Sequence, residues 1–344
     1  MAPRPRKTAR PHWADLPAER LLDVRLSDLR LGIEGTALEG RLESLERELE
    51  RAGLRFRPYT WLSTDWFTPD GATGFAIPFF LAHPRLARLE RAQMLEVEGG
   101  DRDSCMRLLR HEAAHALDNA YGLHRRQRWR RAFGKFSVPY RMSYVPDPTS
   151  RRFVLNLDHW YSQSHPAEDW AETFAVWLWP GARWRKRYAG WPKALAKLQA
   201  DDEMMAEIAD RPPRLRTRHR LEPLSRQHRT LREYYARKKA HYSEERAPVS
   251  YHQLEQVFAR DARRTETAAA FLRKNRHQLV RRVAASTGQH RYLIDHVLRD
   301  VIQRCKERRL RLARSERESR IDAAVLLTVL TMSFLHGGHP RYRR

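Results

Sequence analysis

The sequence predicts an α+β protein in which a small mixed sheet and a helix carrying the motif HEAAH are followed by a mainly helical, basic C-terminal region. Three observations carry this. Between Leu54 and Val97 the apolar residues fall in short β-prone runs broken by turn residues. From Arg102 to Tyr121 they recur at helical spacing, and beyond His165 helical patterns follow one another almost without interruption.

Residues 1–10, MAPRPRKTAR, form a basic tail followed by no apolar run, which argues against a secretory signal and for a cytoplasmic protein. From Ala37 to Ala52 the spacing of Leu38, Leu42, Leu45 and Leu49 among Glu and Arg predicts an amphipathic helix. RFRPYTWL, then GFAIPFFLAH after the TPDGATG turn, then QMLEVE before Gly99 and Gly100 read as three strands. In the helix from Arg102 to Tyr121 the repeating apolar positions are Met106, Leu109, Ala113, Ala116, Leu117 and Ala120. Asp101 or Asp103 would cap its start and Gly122 would stop it.

Residues 123–160 are irregular, with the basic run HRRQRWRR, two proline turns and a strand expected at RFVLNL. A second long helix opens at His165 and Pro166, where proline suits the first turn, and runs through EDWAETFAVWLW to Pro180. The breaks after it are Pro212–Pro213 and EERAPVS at 244–250. Placing the boundary at the second divides the chain into 11–245 and a basic helical module, 246–344. Asp322 to Leu335, DAAVLLTVLTMSFL, is too short to span a bilayer and reads as a buried or partner-facing helix, so no membrane span is expected.

At 344 residues the chain can bury a catalytic core without staples. Cys105 and Cys305 lie far apart in no metal-ligand spacing and read as reduced, buried residues. The 66 basic against 42 acidic residues give a net charge of +24, a field that attracts polyanions. Half of it lies in residues 250–344, where 21 Lys and Arg face 9 Asp and Glu. That region is therefore the candidate surface for nucleic acid or another polyanion, against the plainer reading that arginine raises the charge of every surface alike.

HEAAH is the chemistry-bearing motif. His111 and His115 are four apart, so on a helix both imidazoles leave one face and can grip one metal ion, with Glu112 beside them. Neutral imidazoles suit zinc, and Glu112 is placed to take a proton from water at the metal. A third ligand is then required. The HExxHxxGxxH arrangement is excluded, because positions 118 and 121 are Asp118 and Tyr121. A glutamate on a later helix is available as Glu168, with Glu172 one turn on to hydrogen-bond a ligand imidazole. Both fall on one face of an otherwise apolar and aromatic helix, where idle carboxylates would be costly. The remaining alternative is His124, just beyond Gly122, which otherwise reads as an exposed loop histidine.

HEAAHALD at 111–118, PAEDWAETFA at 166–175 and AIPFFLAHPRL ahead of them resemble the Glu-zincin peptidases. The similarity is to the branch that includes anthrax lethal factor and the bacterial titration-factor peptidases, and more closely to uncharacterised bacterial zinc-binding metallopeptidases. It covers roughly residues 55–240. The resemblance implies a zincin-like catalytic domain and one catalytic Zn2+ held by His111, His115 and Glu168. It further implies peptide-bond hydrolysis by water that Glu112 activates, on a peptide or protein substrate. It also implies that Tyr161, seven residues before Glu168, stabilises the transition state, where an interfacial aromatic beside Trp160 is the structural alternative. Asp118 would orient the helix or a ligand. In such enzymes the substrate lies extended along an edge strand, for which GFAIPFF is the candidate, Pro78 being compatible with an edge. Two rivals stay open: a non-catalytic zinc and nucleic-acid-binding protein, for which Glu112 is dispensable, and an SprT-like protease acting on DNA-bound proteins, which needs a third histidine such as His124.

Overall fold

Thr36 opens the first long helix, Ala37–Arg51, its hydroxyl accepting the Leu38 N–H at 3.2 Å. The computed structural model describes residues 11–141, 144–243, 251–260 and 266–336. The basic tail at 1–10 and the expected break at 244–250 lie outside the described residues. Leu38, Leu45 and Leu49 of this first helix point into the main core. From its polar side Glu48 meets Arg110 in a bidentate pair at 2.7 and 2.8 Å, with both side chains largely buried, tying the helix to the one that carries HEAAH.

Two strands are found where three were expected. β1 (Tyr59–Ser63) and β2 (Gly74–Pro78) pair in parallel, Trp61 opposite Ala76. On the other side of β2 the Ala76 N–H donates to the Phe67 carbonyl at 2.8 Å, an isolated antiparallel bridge. All five residues of β2 are buried. GFAIPFF is therefore not an open edge for a substrate strand at Ala76, because the 64–73 connection folds back onto it. QMLEVE is not a strand either. Helix Pro84–Met94, capped by His83, carries its apolar face through Leu86, Leu89 and Met94 and stops at Leu95, whose φ of 68° turns the chain. RFVLNL also fails as a strand, since the N–H groups of Asn156 and Leu157 donate to the Glu172 carboxylate instead of to a neighbouring chain.

The HEAAH helix spans Arg102–Tyr121; Asp101 accepts the Ser104 N–H at 2.9 Å, and Gly122, at φ 64°, ends it. Helix Pro166–Leu178 starts with His165, whose Nδ1 accepts the Ala167 N–H at 3.1 Å. These two helices pack against each other, burying Leu109, Ala113, Leu117, Trp170, Ala171 and Phe174 in one apolar cluster.

Helices Ala268–Thr287, Arg291–Glu307 and Glu316–His336 enclose a separate apolar cluster around Phe271, Leu279, Leu298, Ile302 and Leu327. A two-residue antiparallel ladder, β3 (Phe258–Ala259) with β4 (Arg311–Leu312), closes one end. The last helix gives Ala323, Leu326, Leu327 and Leu330 to this cluster, while Ile321, Val325 and Val329 are exposed. Among the described residues no helix is long and apolar enough to cross a membrane. Cys105 and Cys305 are both free and buried.

Candidate metal centre

The four-residue spacing on the HEAAH helix brings the Nε2 atoms of His111 and His115 to 3.2 Å from each other. From the facing helix the Glu168 Oε2 stands 3.0 Å from the first and 3.2 Å from the second. Ligand atoms arranged tetrahedrally about 2.1 Å from zinc are separated by about 3.4 Å, so the triangle is close to the size such an ion requires. These three side chains form a group that could hold a metal ion.

Donor chemistry supports the fit. His111 Nδ1 lies 2.9 Å from Glu172 Oε1, and the Glu172 carboxylate also receives the Asn156 side-chain amide and the two main-chain N–H groups of Asn156 and Leu157. An acceptor so placed keeps the neutral ring's proton on Nδ1 and leaves the Nε2 lone pair facing the lone pairs of Glu168 and His115. Converging lone pairs repel unless a cation sits among them. When that cation is a proton, burial opposes the charge on His111, but Glu168 and Glu172 outweigh it and push its pKa up to about 10. Burial likewise opposes ionisation of Glu168, and the charges and hydrogen bonds of His115 and His111 override it, holding the carboxyl well below its ordinary range.

Glu112, the next residue on the helix, is buried, and burial raises its pKa above the ordinary carboxylate value. Its Oε2 accepts a hydrogen bond from the Thr68 hydroxyl at 2.8 Å, and the same hydroxyl reaches the Glu112 carbonyl at 3.2 Å. Thr68 was invisible to sequence reasoning, because it belongs to the connection between β1 and β2 and is brought to the helix only by folding. Tyr161 opens a single turn, Tyr161–Gln163, with its ring centroid 5.6 Å from that of His111. A second tyrosine was also missed. The Tyr140 hydroxyl donates to Glu168 Oε1 at 3.2 Å, and its ring is stacked on His165 at 3.6 Å. His165 thus caps the Glu168 helix, stacks on Tyr140, and donates from Nε2 to the Val138 carbonyl at 2.7 Å. It ties the loop to the helix.

His124 is not an exposed loop residue. Its Nδ1 lies 2.9 Å from Asp118 Oδ2, its N–H donates to Asp118 Oδ1 at 2.7 Å, and its ring stacks on Phe136 at 4.3 Å. Asp118 accordingly secures the end of the HEAAH helix. Its side-chain bonds go to the His124 main-chain N–H and ring.

The group opens into a cleft of ≈ 1740 Å³ lined by His111, Glu112, His115, Tyr140, Tyr161 and Glu168 among others. Comparison with family models, with curated proteins and with solved structures found no match.

Proposed function

We propose that the protein is a zinc-dependent peptidase of the Glu-zincin kind, with a zincin-like catalytic domain. The observation that carries this reading is the meeting of two imidazole nitrogens and one carboxylate oxygen, 3.0–3.2 Å apart, beside a buried glutamate on the same helix. His111, His115 and Glu168 would hold the ion. Zinc in such a set supplies a Lewis acid that acidifies water and polarises a carbonyl. Glu112, its carboxylate aimed by Thr68, accepts the proton of the attacking water and passes it to the leaving nitrogen. Burial raises its pKa above the ordinary carboxylate value, which makes its carboxylate a stronger base. Glu172 fixes the tautomer of His111, and Tyr140 braces the second oxygen of Glu168. To Tyr161 we assign donation of its hydroxyl hydrogen to the developing oxyanion.

The engagement of His124 with Asp118 favours Glu168 over a third histidine as the ligand. Zinc analysis of purified protein tests the set: one zinc per chain in the wild type and in His124→Ala, and none in Glu168→Ala. Full retention by Glu168→Ala would overturn the assignment. Glu112→Gln should keep its zinc and lose peptide turnover by about 100- to 10,000-fold. Undiminished turnover would leave a metal site without the proposed chemistry.

A further inference from the structure

The cleft has a wall from the other end of the chain. Besides the metal-site residues, its lining includes Arg281, Ala285, Ser286, Gly288, Gln289 and His290, at the end of helix Ala268–Thr287 and in the turn that follows. An ion pair at one point and a close approach at another join that turn to other lining segments of the cleft. At one, His290 Nε2 lies 2.9 Å from Glu96 Oε1, and its ring stacks on Tyr242 at 4.3 Å. At the other, Gly288 meets the loop that carries Tyr161, where a Cβ added to it would stand 3.1 Å from the His159 ring. That loop is strained before Tyr161, His159 and Trp160 both being left-handed at φ 63° and 52°. A strained loop keeps its shape only if its surroundings hold it, and the Gly288 turn is part of those surroundings together with Tyr144, whose hydroxyl donates to the His159 carbonyl at 3.0 Å.

We propose that the C-terminal helical unit is a wall of the substrate cleft, and that the cleft so enclosed admits an extended polypeptide segment and excludes a folded surface. The substrate class rests on the peptidase reading; the wall does not. Sites for small molecules occupy about 300–1,000 Å³. The ≈ 1740 Å³ here exceeds that and suits several residues of chain. An extended strand, with neighbours about 5 Å to its side and 10 Å above and below when packed in sheets, is slender enough to pass between two walls. A folded surface would first have to displace the 286–291 turn, which His290 ties to Glu96 and Tyr242.

The test uses the full-length chain. Spin labels on Asp103→Cys, between the lining residues Asp101 and Ser104, and on Ala285→Cys, both exposed positions, report the separation of the turn from the HEAAH helix by pulsed dipolar spectroscopy; Cys105 and Cys305 are buried. One narrow distance is expected, broadening in His290→Ala. A broad distribution in the otherwise unchanged protein would overturn the wall. In turnover assays a reduced and alkylated protein should be cut and its folded form spared. Ala285→Trp should lower kcat/KM at least tenfold with zinc content and Tm unchanged, while Ala270→Trp, exposed on the same helix away from the cleft, should match the wild type. Equal cutting of the folded form, or an Ala285→Trp enzyme equal to wild type, would overturn the proposal. Absence of all turnover in the wild type would remove the peptidase reading and the substrate class with it, leaving the wall to be judged by the distance.

Discussion

In the C-terminal unit the buried Asp295 is answered by two arginines, Arg276 at 2.6 Å and Arg299 at 3.0 Å, whereas at the cleft the buried Glu168 and Glu172 face the imidazole nitrogens of His111 and His115 and main-chain amides. A carboxylate withdrawn from water needs compensation, and a full positive charge with hydrogen bonds is the ordinary form of it. This chain has 66 Lys and Arg to offer. Glu168 and Glu172 meet imidazoles in their stead, in a group that could hold a cation from outside the sequence. The first arrangement completes itself on folding; the second could be completed by a metal ion.

The largest effect expected from that difference is on metal removal. Bound zinc stabilises by about 4 kcal/mol when free metal exceeds its dissociation constant a thousandfold, so chelation should lower Tm by the corresponding amount. The gap should also widen with pH. In the metal-free protein His111 has its pKa raised to about 10, above an unfolded value of about 6.5. Its contribution is therefore fully present below pH 6.5 or so and is lost as the pH rises through about 10. Calorimetry of both forms between pH 6.5 and 10 should show a decline in the metal-free protein that the zinc-loaded one lacks. Parallel curves would break the comparison.

Arg276→Ala is the counterpart in the self-completed region. It should cost about 1–3 kcal/mol in urea unfolding by removing one charged hydrogen-bond donor from Asp295, and leave zinc content unchanged. Glu172→Gln should act the other way round, weakening zinc about 10- to 100-fold in a competition titration with a chelating dye. The smallest effect is expected at Thr68→Val, which removes one hydrogen bond from Glu112, worth about 0.5–1.5 kcal/mol. Turnover should fall by about 2- to 10-fold with zinc affinity unchanged. A loss as large as that of Glu112→Gln would mean that Thr68 does more than aim the carboxylate.

The long helices were legible because their signals are local. Helical spacing located Ala37–Arg51 and Arg102–Tyr121, Asp101 and Gly122 marked the ends of the second, and Pro166 marked the start of the Glu168 helix. The strand expectations at QMLEVE and RFVLNL failed for a shared reason: a short apolar run does not reveal what its N–H groups will find. Those of Asn156 and Leu157 found a carboxylate, and the chain of Met94 was already committed to a helix face.

Of the site, the sequence by itself determined the pairing of His111 with His115 and of Glu168 with Glu172, since an i, i+4 spacing puts both members on one helix face wherever the helix goes. It also carried Glu112 beside its histidines. Only the tertiary structure decided that the two faces oppose each other, with Glu172 behind His111 and Glu168 in front, that Thr68 and Tyr140 close on the carboxylates, and that a turn near residue 288 lines the same cleft. Those contacts join segments with no common period. They are settled by which apolar faces bury together, and that is a property of the packed chain as a whole.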